Sequence, residues 1–259
     1  MIKNIKYVGG KSMFKSTFVM GIFLCLLPFS LQSQTLDDEQ ENYIRANAIF
    51  FIYHELGHAL IDLMRLPVFG QEEDAADVLG VVLSETINDE NDNEIIMLAA
   101  ADNFAYMAET AAQEGYELAF WDTHGLDQQR YYTILCLHFG ADPDRRKAIA
   151  DDQELPEDRQ QTCPEEYQLA SESWGPVLDE ITGNSGNWLF LTIADQPNTP
   201  AEEILLDAVK VEVGILNDVF APDFVLDLVF GQCGEANAYY DPNVQQITIC
   251  AELAQLFTE

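Results

Sequence analysis

The sequence predicts an α+β fold that is mainly helical, with a small sheet near the carboxyl terminus. Apolar residues recur at helical spacing between residues 43 and 180, whereas short β-branched and aromatic runs follow from residue 188 onward. A hydrophobic content of 48% over 259 residues is enough to bury a core. We expect a single domain over residues 34–259, helical in 43–180 and strand-containing in 188–259.

Prolines, glycines and acidic residues mark the helix ends. Pro67 and Gly70 end the first helix, and Gly140 ends the fourth. The acids of residues 72–74 suit the start of the second helix, and Pro164 suits a first turn. The predicted helices cover residues 43–66, 72–79, 94–120, 127–139, 164–180 and 200–219, and residues 141–161 are expected to form a loop with short helical turns.

The predicted strands are short and lie close to the carboxyl terminus. Residues 188–193 and 224–230 are rich in large apolar side chains, which favours buried strands. Residues 238–240 and 246–249 flank a turn over residues 241–243, Asp-Pro-Asn, and therefore predict a hairpin.

The first 33 residues have the order of a secretory signal peptide. Four lysines are the only charges there, and they precede an apolar run over residues 18–27 that is too short to span a bilayer well. We expect cleavage after Ser33 and a secreted or periplasmic protein with no membrane attachment. An uncleaved amino-terminal anchor is the alternative.

Cys25 leaves with the predicted signal peptide, so an exported chain would keep four cysteines. An even count favours disulfides, and three pairings are possible. We expect Cys136–Cys163 and Cys233–Cys250, because each pair is close in sequence and brackets a turn-rich segment. No CxxC spacing occurs, which argues against a cysteine-based zinc site.

The chain is strongly acidic. It has 12 basic and 45 acidic residues and a net charge of −33, and signal cleavage would remove four of the lysines. Nucleic acid and anionic membranes are not expected as partners, because both need a basic surface. A solvated acidic surface is the favoured interpretation, and attraction of basic substrates is the alternative. The oligomeric state is left open.

His54 and His58 are four residues apart in the first predicted helix. This spacing puts both imidazoles on one face, one turn apart, where both can bind one zinc ion. Glu55 follows the first histidine and is expected to act as a general base. The flanking residues are uncharged, which suits a buried active-site helix. A pair of solvent-exposed histidines is the alternative.

A catalytic zinc ion needs a third protein ligand. We expect Glu73 to bind the metal and Asp77, one turn later, to accept a hydrogen bond from a ligand imidazole. Glu72 is the alternative ligand, and Asp62 is another residue that could support an imidazole. Favourable charging of a helix amino terminus would also account for the acidic cluster.

His124 lies just before the fourth predicted helix. It could donate a hydrogen bond to an anionic intermediate, as could Arg130 or Tyr106. Capping or bracing of the helix is the alternative interpretation of His124. The neighbouring Trp121 is expected to lie in the core.

The motifs together resemble a bacterial family of metallopeptidases without a characterised substrate. The matching stretches are HELGHALID over residues 54–62, EEDAAD over 72–77, CPEEY over 163–167 and CGEANAYYDP over 233–242. The resemblance covers most of the mature chain. It implies a gluzincin-like zinc site on a zincin-like active-site helix, and it implies no particular substrate.

One feature departs from the pattern of zincins. In those folds the sheet precedes the active-site helix and its edge strand binds the peptide, whereas here the strands follow the helix. We therefore hypothesise a circular permutation, in which the cysteine-bearing hairpin returns to the metal cleft.

The expected function is zinc-dependent hydrolysis of peptide bonds, with a peptide or protein as substrate and Zn²⁺ as cofactor. Two alternatives remain at this point. One is a non-catalytic zinc-binding interaction protein, although the presence of Glu55, which need not bind metal, argues against it. The other is a hydrolase of a non-peptide amide.

Overall fold

The computed structural model describes residues 36–183 and 186–258, which contain nine helices and one four-stranded sheet. The helices are α1 (Asp38–Met64), α2 (Glu72–Ile87), α3 (Glu90–Glu114), α4 (Asp127–Ala141), α5 (Pro143–Asp152), α6 (Glu157–Gln160), α7 (Cys163–Ile181), α8 (Pro200–Val219) and α9 (Leu253–Leu256). The strands are β1 (Leu189–Ile193), β2 (Leu226–Gly231), β3 (Ala238–Asp241) and β4 (Gln246–Cys250). The predicted α+β class is confirmed. The predicted signal peptide lies outside the described residues.

Helix α1 is the central element, and it packs against α2, α3, α8 and β3. It begins before the predicted start at residue 43, because Asp37 and Gln40 form a capping box. The Asp37 carboxylate accepts from the Gln40 N–H at 2.9 Å, and the Gln40 side chain accepts from the Asp37 N–H at 3.2 Å. Arg65 ends the helix in the left-handed conformation, with φ of 55°.

Three other helical regions differ from the prediction. Helix α2 continues to Ile87 and does not end at residue 79. Helix α3 ends at Glu114 and not at residue 120, because Gly115 adopts φ of 74° and caps it. The chain then forms a loop over residues 115–126. Trp121, expected in the core, is 86% exposed on this loop. The expected loop over residues 141–161 contains the ten-residue helix α5, whose amino terminus is capped by Asp142.

Helices α1 and α2 approach each other closely. A β-carbon placed on Gly57 would lie 2.8 Å from the Cα atom of Ala76, well inside van der Waals contact. The pair therefore requires glycine on one helix and a small residue on the other. As a result, the histidines of α1 face the acidic first turn of α2.

The sheet has the strand order β1-β2-β4-β3. The first two pairings are parallel, and β3 pairs antiparallel to β4, which confirms the predicted hairpin. Helix α8 provides the crossover between β1 and β2. Strand β3 is an edge strand, and it packs against α1.

Both predicted disulfides are confirmed. Cys136–Cys163 joins α4 to α7, and Cys233–Cys250 joins the segment after β2 to the end of β4. The second disulfide closes the segment that leads into β3. No helix within residues 36–183 or 186–258 is both long and apolar enough to cross a membrane.

A buried carboxyl group couples folding to pH. Glu212 of α8 is 1% exposed, and it accepts a hydrogen bond of 2.8 Å from the hydroxyl of Tyr53. Burial raises the pKa of Glu212 from 4.5 to about 7, although the Tyr53 hydroxyl partly opposes this. The folded state therefore holds the proton more tightly than the unfolded state does.

We expect this contribution to stability to be complete below pH 4.5 and lost as the pH rises to about 7. The difference between the two pKa values corresponds to about 3 kcal/mol in the free energy of unfolding. Replacing Glu212 with Gln should remove the dependence, so that the variant gains stability over the wild type at pH 8. Urea unfolding at several pH values measures this, with Glu203→Gln on the exposed face of α8 as the control. Parallel pH profiles for wild type and Glu212→Gln would contradict it.

Candidate metal centre

Helix α1 directs three functional side chains into one cleft: His54, Glu55 and His58. The Nε2 atoms of the two histidines lie 3.2 Å apart, and their rings are nearly perpendicular, at 77°. His54 is 3% exposed, so the alternative of a solvent-exposed histidine pair does not describe this site. The imidazoles converge because they lie one turn apart on the same face of α1.

Glu73, in the first turn of α2, completes the cluster. Its Oε2 atom lies 3.3 Å from the Nε2 atom of His54 and 3.3 Å from that of His58. This oxygen is buried and makes no hydrogen bond of good geometry with the described residues. The three ligand atoms lie within 4.8 Å of one another, so they could hold one metal ion. Two imidazoles and a carboxylate form a donor set typical of zinc.

The outer nitrogen of each histidine faces a carboxylate. The Nδ1 atom of His54 lies 2.8 Å from Asp77, and that of His58 lies 2.9 Å from Glu72. Contacts of this kind hold the ring with its Nε2 atom free for a metal. Glu72 thus lies on the far side of the imidazole from Glu73. The sequence favoured Glu73 as the ligand with Glu72 as the alternative, and in the structure it is Glu73 whose oxygen lies beside both Nε2 atoms.

Arg130 of α4 holds the carboxylate of Asp77 in place. Its guanidinium donates two hydrogen bonds of 2.7 Å to Asp77 and stacks over the ring of Phe104, 3.9 Å from its centroid. Burial would raise the pKa of Asp77, but Arg130 and His54 lower it to about 2. The carboxylate is therefore charged at neutral pH. The sequence predicted Arg130 as a possible anion stabiliser and did not predict its contact with Asp77.

We expect Arg130→Met to destabilise the fold by about 3–5 kcal/mol, because it leaves the Asp77 carboxylate buried without its partner. Metal affinity should also fall, by about 10–100-fold, since His54 loses its support. Denaturant unfolding and metal titration measure the two effects. The control is Arg145→Met, which removes a largely exposed guanidinium and should cost about 1 kcal/mol or less. Equal stabilities of the two variants would contradict this account.

Glu55 lies in the same cleft but outside the cluster of three ligand atoms. It is 5% exposed, and burial raises its pKa above the ordinary range, with partial opposition from His54 and His58. A carboxylate with a raised pKa is a better proton acceptor than an ordinary one. Its position and its surroundings both suit a general base.

His124 reaches the cleft from the loop over residues 115–126. Its Nε2 atom lies 3.0 Å from the Oε2 atom of Glu73, and its side chain is half exposed.

Two other candidate residues take no part in the cluster. Asp62 accepts a hydrogen bond of 2.8 Å from the Tyr240 hydroxyl and does not support an imidazole. Tyr106 lies on α3 and is not among the residues that line the cleft.

The cleft has a volume of about 590 Å³ and lies between α1, the start of α2 and strand β3. Tyr239 and Tyr240 of β3 form one wall. The hairpin therefore returns to the face of α1 that carries His54, as the permutation hypothesis requires. The permutation itself remains a hypothesis.

Comparison with known proteins identifies the family. A family model described as "Putative metallopeptidase" matches residues 26–178 and 197–259. Searches of curated proteins and of solved structures each found no significant match. The matched residues include the whole cluster on α1 and α2 and all of the strand β3 that lines the cleft. Because the match covers most of the chain, the protein belongs to this metallopeptidase family.

Proposed function

We propose that the protein is an exported zinc-dependent metallopeptidase that hydrolyses peptide bonds. One observation carries the proposal: the ligand atoms of His54, His58 and Glu73 converge in a cleft that also contains the buried carboxylate of Glu55. The donor set favours zinc over magnesium or calcium, which prefer oxygen ligands. His54, His58 and Glu73 would hold the ion.

A bound zinc ion supplies Lewis-acid polarisation of the scissile carbonyl and lowers the pKa of water. Glu55 accepts the proton of the attacking water and then delivers it to the leaving amine. The Arg130–Asp77 pair keeps the imidazole of His54 in one orientation and one tautomer. His124, on the open side of the cleft, donates a hydrogen bond to the oxygen that becomes negative.

Strand β3 supports a peptide as the substrate. It is an edge strand of the sheet, and it lines the cleft beside Glu55. An extended peptide can pair with such an edge through its backbone, which places its amide groups next to the general base. A net charge of −33 disfavours a nucleic acid substrate, which needs a basic surface to bind.

Two disulfides support export to a secreted or periplasmic location. Such bonds form and persist in oxidising compartments, and both close here between the predicted partners. Export also agrees with the order of lysines and apolar residues over residues 1–33.

Removal of the metal tests the proposal. We expect the purified protein to cleave a mixture of unstructured peptides, and we expect a chelator to lower the rate at least 100-fold, because the polarising ion is lost. Zinc should restore the rate and magnesium should not. Mass spectrometry of the products measures the cleavage. Cleavage that persists in the chelator after the metal has been removed would contradict the proposal.

A further inference from the structure

A second cavity, of about 670 Å³, opens beside the metal cleft. It shares His54, Glu55 and His124 with the cleft, so a molecule that reacts at Glu55 can extend into it. Its volume lies within the range of roughly 300–1,000 Å³ that is typical of ligand sites. Because the two cavities share these walls, a single substrate can occupy both.

The inner wall of this cavity is apolar. Phe104 and Leu253 are 1% and 2% exposed, and partly buried apolar side chains extend the wall on either side of them. These are Phe51 of α1, Met107 of α3 and Leu256 of α9. Ala108 and Ala111 of α3 also line the cavity, and their small side chains leave its centre open.

The charged groups around the cavity disfavour an ionic occupant. Among the described lining residues, Arg130 is the one with a guanidinium or ammonium group, and it is bonded to Asp77. An anionic side chain would meet the carboxylates of Glu117, Asp122 and Asp127, which also line the cavity. These acids would attract a cationic side chain at the exposed rim, but placing its charge against the apolar inner wall would remove its hydration, which is unfavourable.

We infer that this cavity is a specificity pocket that binds a bulky apolar side chain of the substrate, such as Phe, Leu or Met, adjacent to the scissile bond. Burial of such a side chain against the apolar wall provides binding free energy that glycine or a charged residue at the same position does not. The inference rests on the proposed function, because the metal cleft fixes where the scissile bond lies.

The test uses a peptide set in which Phe, Gly, Lys or Asp is placed at each position in turn. Binding is measured by calorimetry to the zinc-loaded Glu55→Gln protein, which should bind peptides without cleaving them. We expect Phe at one position to bind at least ten-fold more tightly than Gly, Lys or Asp. Ala111→Phe should fill the cavity and reduce this preference to less than three-fold.

The matched control is Ala105→Phe, the same substitution on α3 in a residue that lines another surface depression and not this cavity. It should keep the preference for Phe. If thermal unfolding shows that Ala111→Phe does not fold, Met107→Ala replaces it, and the loss of apolar wall should again weaken binding of the Phe peptide.

An unchanged preference for Phe in the folded cavity variant would overturn the inference, as would a preference for Lys or Asp or the absence of peptide binding. The proposed function fails differently. If the wild-type protein cleaves no peptide while the Glu55→Gln protein still discriminates Phe from Gly, the pocket is supported and peptide hydrolysis is refuted.

Discussion

Replacing Glu55 with Gln is expected to lower kcat by about 10²–10⁴-fold, the usual contribution of a positioned general base. The amide has nearly the same shape as the carboxylate but accepts no proton from water. Glu55 is buried in the cleft yet lies outside the three ligand atoms, so zinc content should not change. Peptide cleavage and zinc analysis of the same preparation measure the two effects.

The matched control is Asp62→Asn. Asp62 lies on the same helix and lines the same cleft, but its carboxylate contacts Tyr240 and not the metal cluster. The same carboxylate-to-amide change should therefore lower kcat less than ten-fold. Equal activity of wild type and Glu55→Gln would eliminate the general-base mechanism. Loss of zinc together with activity would show that Glu55 acts through the metal site instead.

Substitutions of the two neighbouring glutamates of α2 should have unequal effects on zinc. Glu73→Ala removes an oxygen 3.3 Å from both Nε2 atoms, and we expect zinc affinity to fall by more than about 100-fold. Glu72→Ala removes a contact to the outer nitrogen of His58, which should cost about 10–100-fold.

The Glu72→Ala and Glu73→Ala variants serve as controls for each other. Glu72 and Glu73 both lie in the first turn of α2, so the loss of favourable charge at the helix amino terminus is nearly the same in the two variants. Zinc affinity measured by competition with a chelating dye therefore reports the difference in metal contact. A larger loss of zinc affinity in Glu72→Ala than in Glu73→Ala would indicate that Glu72, and not Glu73, binds the metal.

Local spacing in the sequence was enough to predict the two histidines on α1 and to favour Glu73 over Glu72 on α2. His54 and His58 share a helix face by their separation, and Glu73 follows at the start of the next helix. The close approach of these helices depends on Gly57 and Ala76, both small, and such residues are visible in the sequence. The disulfides were also predictable, because each joins cysteines that are close along the chain.

Contacts between distant parts of the chain were not predictable. Arg130 contacts Asp77 across 53 residues, and Glu212 contacts Tyr53 across 159 residues. No periodicity encodes which charged side chain of α4 faces α2, or which one of α8 faces α1. The exposure of Trp121 was missed for a related reason. An aromatic residue next to an apolar one predicts burial, whereas the helix end at Gly115 places it on a loop.

The position of the metal tests the central claim most directly. Crystals of the zinc-loaded protein, measured by anomalous scattering at the zinc absorption edge, locate the ion independently of activity. We expect one strong peak about 2.0–2.2 Å from the Nε2 atoms of His54 and His58 and from a carboxylate oxygen of Glu73. A peak bound by Glu72 in place of Glu73, or no peak between α1 and α2, would contradict the account.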